Sequence, residues 1–282
     1  MKIVDKIGGG KTGEQFRPNH HHSLKVSDTC STQHGLHRTD VPAEASKRVT
    51  NMAQALQVSM ELHGGEMHAS SRVAILGRYR RYSDLRKEIQ SAALGNVSES
   101  SFLAYAKRIG LSDGKVLFAD ESELTLVYDL ALYAAQPGRT RAIDRCARKR
   151  LTAAQPEEAL VLQALEASRF SIFRVIGRCE PAGVLLEDLM RGGTVPLLDE
   201  GLERSARPDG VFAMRVAPIE DFVITCGAIV PMDFDIFEEI IEFLTDGVPD
   251  AEFAALADRW RFAALLYELA IELGLMSSIM YR

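Results

Sequence analysis

The sequence has no apolar run that could cross a membrane as a helix. Its longest charge-free apolar stretch, Phe222 to Met232, has 11 residues, whereas a spanning helix needs about 20. The lysines near the N-terminus are not followed by the apolar segment of a secretory signal. These absences exclude a membrane-spanning class, and we expect a cytoplasmic location and no membrane partner.

Cysteine and histidine are scarce, and their positions exclude several kinds of enzyme. The four cysteines, Cys30, Cys146, Cys179 and Cys226, contain no CxxC pair, so we expect no disulfide framework. All seven histidines lie at or before His68, so any histidine general base would have to come from that segment. We therefore predict no catalytic residue, no cofactor and no metal ligand.

Two motifs near the N-terminus suggest chemistry but lack the context that this chemistry needs. Gly8–Thr12 is similar to the end of a phosphate-binding P-loop, yet Asp5 replaces the first glycine and no strand-to-helix pattern surrounds it. Cys30, His34 and His37 could ligate Zn²⁺ or Ni²⁺, but their spacing matches no standard site. Adventitious metal affinity is the favoured interpretation.

Composition and periodicity divide the chain into four regions. Residues 1–70 have no sustained period and hold five of the nine lysines within their first 50 positions, which predicts a poorly ordered arm that is dispensable for folding. Residues 71–167 show helical spacing. Residues 168–232 contain five of the ten prolines at regular intervals, which is typical of a small antiparallel β-barrel. Residues 233–282 are acidic and again helical in pattern.

Local signals place individual elements within these regions. Asp120 and Glu123 predict a capping box at the start of a helix, and Pro156 suits the first turn of another. Arg191-Gly192-Gly193 predicts a hairpin with a left-handed glycine. The predicted strands are Ile172–Cys179, Val184–Met190, Val195–Asp199, Val211–Pro218 and Phe222–Val230, and their predicted core includes Phe173, Val175, Phe212, Val216, Phe222 and Ile224.

The predicted fold class is therefore α+β. We expect a mainly helical protein with an inserted five-strand, SH3-like small β-barrel.

Charge is distributed unevenly along the chain. Residues 1–150 hold 23 Lys and Arg against 16 Asp and Glu, a net charge of +7, and residues 151–282 hold 10 against 23, a net charge of -13. The stretch 229–258 has nine acids and no base. The densest basic run predicts an interaction surface for an acidic partner, made of Arg139, Arg141, Arg145, Arg148, Lys149 and Arg150.

Three hypotheses about function follow. The first is a non-catalytic binding or regulatory module, with an unknown protein partner or self-association through the acidic stretch 229–258. The second, less favoured, is nucleic-acid binding through the basic helices at 72–87 and 139–150. The third is an enzyme without a recognisable motif. The prevalence of arginine over lysine after residue 50 favours a bacterial protein from a GC-rich genome.

Overall fold

A computed structural model describes residues 71–135, 138–245 and 250–278 of the chain. The predicted arm at 1–70 lies outside these residues, and so do its Gly8–Thr12 motif and all seven histidines. No helix among the described residues is long and apolar enough to cross a membrane.

Along the chain, helices come before and after the five strands. Two predicted helix starts are confirmed. Asp120 and Glu123 form a complete capping box, and Pro156 occupies the first turn of its helix. The helices are α1 (71–94), α2 (Glu99–Arg108), α3 (Glu121–Tyr133), α4 (Ala142–Arg150), α5 (Pro156–Glu166), α6 (Glu200–Ser205), α7 (Phe234–Thr245), α8 (Asp250–Ala257) and α9 (Trp260–Glu272), followed by a 3-10 turn at Leu275–Ser278.

The five strands form one mixed sheet. They are β1 (Arg169–Arg178), β2 (Val184–Asp188), β3 (Thr194–Leu198), β4 (Val211–Ile219) and β5 (Phe222–Met232). Their order is β1-β2-β3-β5-β4, and β1 also pairs with β4. All neighbours are antiparallel except β3 and β5, which are parallel. The predicted hairpin is confirmed, since Gly192 and Gly193 both have positive φ between β2 and β3.

The predicted fold class is wrong in two respects. About half of the described residues are helical and about a fifth lie in strands, so the chain is a mixed α+β fold and not a mainly helical protein. The strands form a mixed five-strand sheet and not an antiparallel, SH3-like small barrel. Helix α6 causes this difference. It follows β3 and leads to β4, which is not a neighbour of β3 in the sheet. Strand β5 returns from β4 in a hairpin and lies between β4 and β3, so it runs parallel to β3.

Apolar residues of the sheet form three buried clusters. Phe173, Leu186 and Val216 belong to a cluster made mostly by strand residues. Helices α2, α3 and α9 pack on a second cluster that includes Ile172, and helices α1, α4 and α5 pack on a third that includes Phe222. Of the six predicted core residues, five are buried and Phe212 is partly buried. The strand positions were therefore predicted well even though their pairing was not.

Candidate functional site

The predicted interaction surface divides into two groups of side chains. Arg141 and Arg150 are half-buried and neutralised by carboxylates, whereas the others are exposed. Arg141 binds Asp144 with a nitrogen–oxygen distance of 2.6 Å. Arg150 binds Glu88 and Glu158 at 2.8 and 2.6 Å. The exposed group, which we call the basic face, consists of Arg139, Arg145, Arg148 and Lys149.

None of the four side chains of the basic face forms an ion pair with a described residue. Arg145 donates to the backbone oxygen of Thr140, and Arg148 donates to the backbone oxygen of Asp144 at 3.3 Å. These contacts orient the guanidinium groups but leave their charge uncompensated. The positive charge of the basic face is therefore available to an external anion.

The second predicted basic stretch, in α1, is largely neutralised within the molecule. Four of its arginines each meet a glutamate from a distant part of the chain, at nitrogen–oxygen distances between 2.6 and 3.2 Å. The pairs are Arg72–Glu203, Arg78–Glu220, Arg80–Glu200 and Arg81–Glu157. Helix α1 thus uses its positive charges to attach to α5, α6 and the β4–β5 turn, and it offers few free cations to a partner.

A cleft of about 230 Å³ opens beside the basic face, between the start of α2, the end of α3 and the start of α4. We call it the α2–α4 cleft. Arg139 and Arg145 line it, and none of its described lining residues is acidic. Its hydroxyl groups come from Ser98, Ser101, Tyr105 and Thr140. The lining therefore supplies two cations and several hydroxyl groups without a competing carboxylate.

The start of α2 adds to the positive potential of this cleft. Ser98 is the N-cap, and its hydroxyl accepts from the Ser101 amide at 3.2 Å. The N-terminus of a helix attracts negative charge through its free amides and its dipole, although Glu99 in the first turn offsets part of that attraction. Burial raises the pKa of Tyr105, and the nearby charges of Arg145 and Arg139 counter part of this rise, so this phenol stays a neutral hydrogen-bonding group at neutral pH.

Sequence reasoning identified Arg139 and Arg145 but missed the hydroxyl groups around them. The one available signal was the Ser98–Glu99 pair, which has the composition of a helix start. Thr140 and Tyr105 carry no such signal, because only the packing of α2 against the α3–α4 connection brings them to the arginines.

Two features common in active sites are missing from the described residues. They include no histidine, and no group of three or more His, Cys, Asp or Glu side chains among them could hold a metal ion. Burial raises the pKa of Cys226 to about 11 and also raises the pKa of Cys146. Both thiols are therefore protonated at neutral pH and are poor nucleophiles.

Comparisons with known proteins place the chain in a family. No curated protein and no solved structure matches it. A family of unknown function, DUF7986, matches residues 75–243, which contain the α2–α4 cleft, the basic face and all five strands. Since that match covers more than half of the sequence, the chain belongs to the DUF7986 family.

Proposed function

We propose that this protein is a non-catalytic binding module whose basic face docks an acidic protein segment. The observation that carries the proposal is the lining of the α2–α4 cleft, in which Arg139 and Arg145 stand among hydroxyl groups with no carboxylate beside them. Guanidinium groups bind carboxylates through paired, charge-assisted hydrogen bonds. An Asp or Glu side chain of a partner fits this donor set.

The charge balance favours an acidic protein segment over a nucleic acid. Nucleic-acid binding draws much of its affinity from Lys and Arg contacts to phosphates, about 6 to 10 of them in strongly salt-dependent examples. The basic face supplies four cations, and the α1 arginines that would extend it are paired with glutamates. The whole chain has a net charge of -6, which repels a long polyanion more than a short acidic segment.

A second copy of the chain is one possible source of such a segment. Helix α7 exposes Asp235, Glu238 and Glu239 within the acidic stretch 229–258. Within this stretch, the ion pair between described residues joins Asp258 to Arg191, which is not part of the basic face. The exposed acids of α7 are thus free to meet the basic face of another copy.

A cytoplasmic location belongs to the same proposal. Cys146, Cys179 and Cys226 are free thiols, which suits a compartment where thiols are kept reduced.

The test is a fluorescence-anisotropy titration of the full chain with a labelled polyglutamate peptide and, separately, with a single-stranded oligonucleotide. We expect the Arg139→Gln/Arg145→Gln double variant to bind the peptide roughly tenfold more weakly, because about 1.4 kcal/mol of lost attraction corresponds to that factor. The matched control is Arg80→Gln/Arg81→Gln, which removes two exposed α1 cations and should leave the affinity within about twofold.

Two results would overturn the proposal. In the first, the Arg139→Gln/Arg145→Gln variant and the control bind the peptide equally well. In the second, the oligonucleotide binds more tightly than the peptide at physiological salt and the same double variant abolishes that binding, which would establish the nucleic-acid hypothesis. Sedimentation of the full chain at low and high salt then reports whether the acidic segment comes from a second copy.

A further inference from the structure

A second cleft, of about 170 Å³, lies where the start of β1, strand β4 and the α8–α9 junction meet. We call it the arginine cleft, because Arg141, Arg169, Arg215 and Arg259 line it. Asp258 is the one acidic residue in its described lining, and that carboxylate is paired with Arg191. Arginines therefore outnumber acids in the described lining of the cleft.

Arg215 is a fixed donor in the wall of this cleft. Its side chain is 8% exposed, and its Nε and one terminal nitrogen bind Asp129 at 2.9 and 3.2 Å. The guanidinium carbon lies 4.6 Å from the centre of the Tyr133 ring and 5.7 Å from that of Phe170. No described residue accepts a hydrogen bond from the remaining Nη1. Arg215 is thus held in place before any ligand arrives.

Two other arginines of the cleft are less fully paired than Arg141 and Arg215. The buried Nε of Arg169 makes no hydrogen bond and lies 3.5 Å from Asp188 Oδ2, too far for a strong bond. Arg259 is exposed and forms no ion pair with a described residue. Arg141 and Arg215 bind carboxylates within hydrogen-bond distance, whereas Arg169 has Asp188 only at 3.5 Å. A bound anion would supply negative charge beside Arg259 and could accept the hydrogen bond that Arg169 Nε does not make.

The start of α9 adds a further reason for an anion at this place. Arg259 is the N-cap of α9, it makes no side-chain capping bond, and the first turn contains no acid. Helix starts favour Ser, Thr, Asp or Asn at the cap and negative charge in the first turn. A positive charge at this position is unfavourable, and an anion bound beside it would offset its repulsion from the helix dipole.

We propose that the arginine cleft binds a phosphate group. A volume of about 170 Å³ is smaller than the 300 Å³ or more of sites for drug-sized ligands, and it suits one phosphate rather than a whole nucleotide. Arginines that approach from β1, β4 and the start of α9 surround the anion on several sides, as the tetrahedral oxygens of a phosphate require. The proposal is independent of the basic face.

The chain contains its own reporter of this binding. Trp260 is the one tryptophan in the sequence, and it lines the arginine cleft. Its fluorescence in the full chain is followed during titration with inorganic phosphate and, separately, with methyl phosphate, at constant ionic strength set with chloride. We expect a saturable change with both probes, and the tighter probe identifies free phosphate or a phosphate ester as the source.

Substitutions of single arginines test whether phosphate binds in the arginine cleft. Arg259→Gln should weaken phosphate binding at least tenfold, and Arg169→Gln, the second variant, should do the same. The matched control is Arg261→Gln, since Arg261 lies on the same helix, within 6.0 Å of the Trp260 ring, but does not line the cleft. This control should retain the wild-type affinity.

The absence of a saturable response, or equal affinities of the wild type and Arg259→Gln, would overturn the proposal. A loss of phosphate binding in Arg139→Gln/Arg145→Gln with Arg259→Gln unchanged would also overturn it, because the phosphate would then occupy the α2–α4 cleft. Failure of the polyglutamate peptide to bind would count against the basic face alone, so the two proposals fail separately.

Discussion

Arg215 on β4 donates two hydrogen bonds to the buried carboxylate of Asp129 on α3, and this pair joins the sheet to the helices that cover it. Tyr267 on α9 donates to the same carboxylate at 2.9 Å. Burial alone would lower the pKa of Arg215, but the attraction of Asp129 outweighs burial and raises it. Arg215 therefore stays charged, and Asp129 compensates it.

The first prediction concerns this buried pair. We expect Asp129→Ala to lower the free energy of unfolding by about 3–5 kcal/mol, because the change leaves the Arg215 charge buried without a partner. Urea denaturation followed by circular dichroism measures it. Asp84→Ala is the control, since its carboxylate pairs with Lys87 on the surface and should contribute no more than about 1 kcal/mol. Equal losses in the two variants would refute this role for Asp129.

The second prediction concerns Phe222 on β5, which is 4% exposed in the cluster that joins the sheet to α1, α4 and α5. Phe222→Ala should lower the free energy of unfolding by roughly 3–5 kcal/mol, because it removes buried apolar surface and leaves a cavity. Ile176→Ala on β1 is the matched control, since this side chain is 46% exposed, and its effect should stay within about 0.5 kcal/mol. An unchanged denaturation midpoint for Phe222→Ala would show that it is not a core residue.

The third prediction concerns thiol reactivity. Burial raises the pKa of all three described cysteines, that of Cys226 to about 11. Cys146 and Cys226 are buried, whereas Cys179 is partly exposed. Among these three, we expect a maleimide at pH 8 to modify Cys179 first, because a thiol reacts as its thiolate and only when it is accessible. Peptide mapping by mass spectrometry identifies the modified residue. Modification of Cys226 before Cys179 in the folded protein would contradict the burial described here.

The sequence allowed the strands to be located but not the way they pair. All five predicted strands overlap observed strands, because proline and glycine mark their ends and β-branched residues fill them. The parallel β3–β5 pair depends on α6, a six-residue helix with Asp199 as its cap. Such a helix is too short to show a period of 3.6 residues, so the crossover that it makes was not predicted.

The same limit applies to the candidate sites. A run of basic residues is visible in the sequence, but the neutralisation of Arg150 by Glu88 involves residues 62 positions apart. Arg169 and Arg215 of the arginine cleft come from separate strands, and Arg259 comes from a helix near the end of the chain. No local pattern connects them. Tertiary contacts decide which charges stay free. For that reason, of the arginines that line the two clefts, only Arg139, Arg141 and Arg145 were predicted from the sequence, all three from one basic run.

The most direct test of the account is amide NMR of the full chain, labelled with ¹⁵N and titrated with polyglutamate peptide. Binding at the basic face should cause the largest shift changes at residues 96–101 and 138–149, around the α2–α4 cleft. Residues 72–87 should change little, because four of their five arginines are paired with glutamates. Largest changes at 72–87, or none at 138–149 when the peptide is bound, would contradict the account.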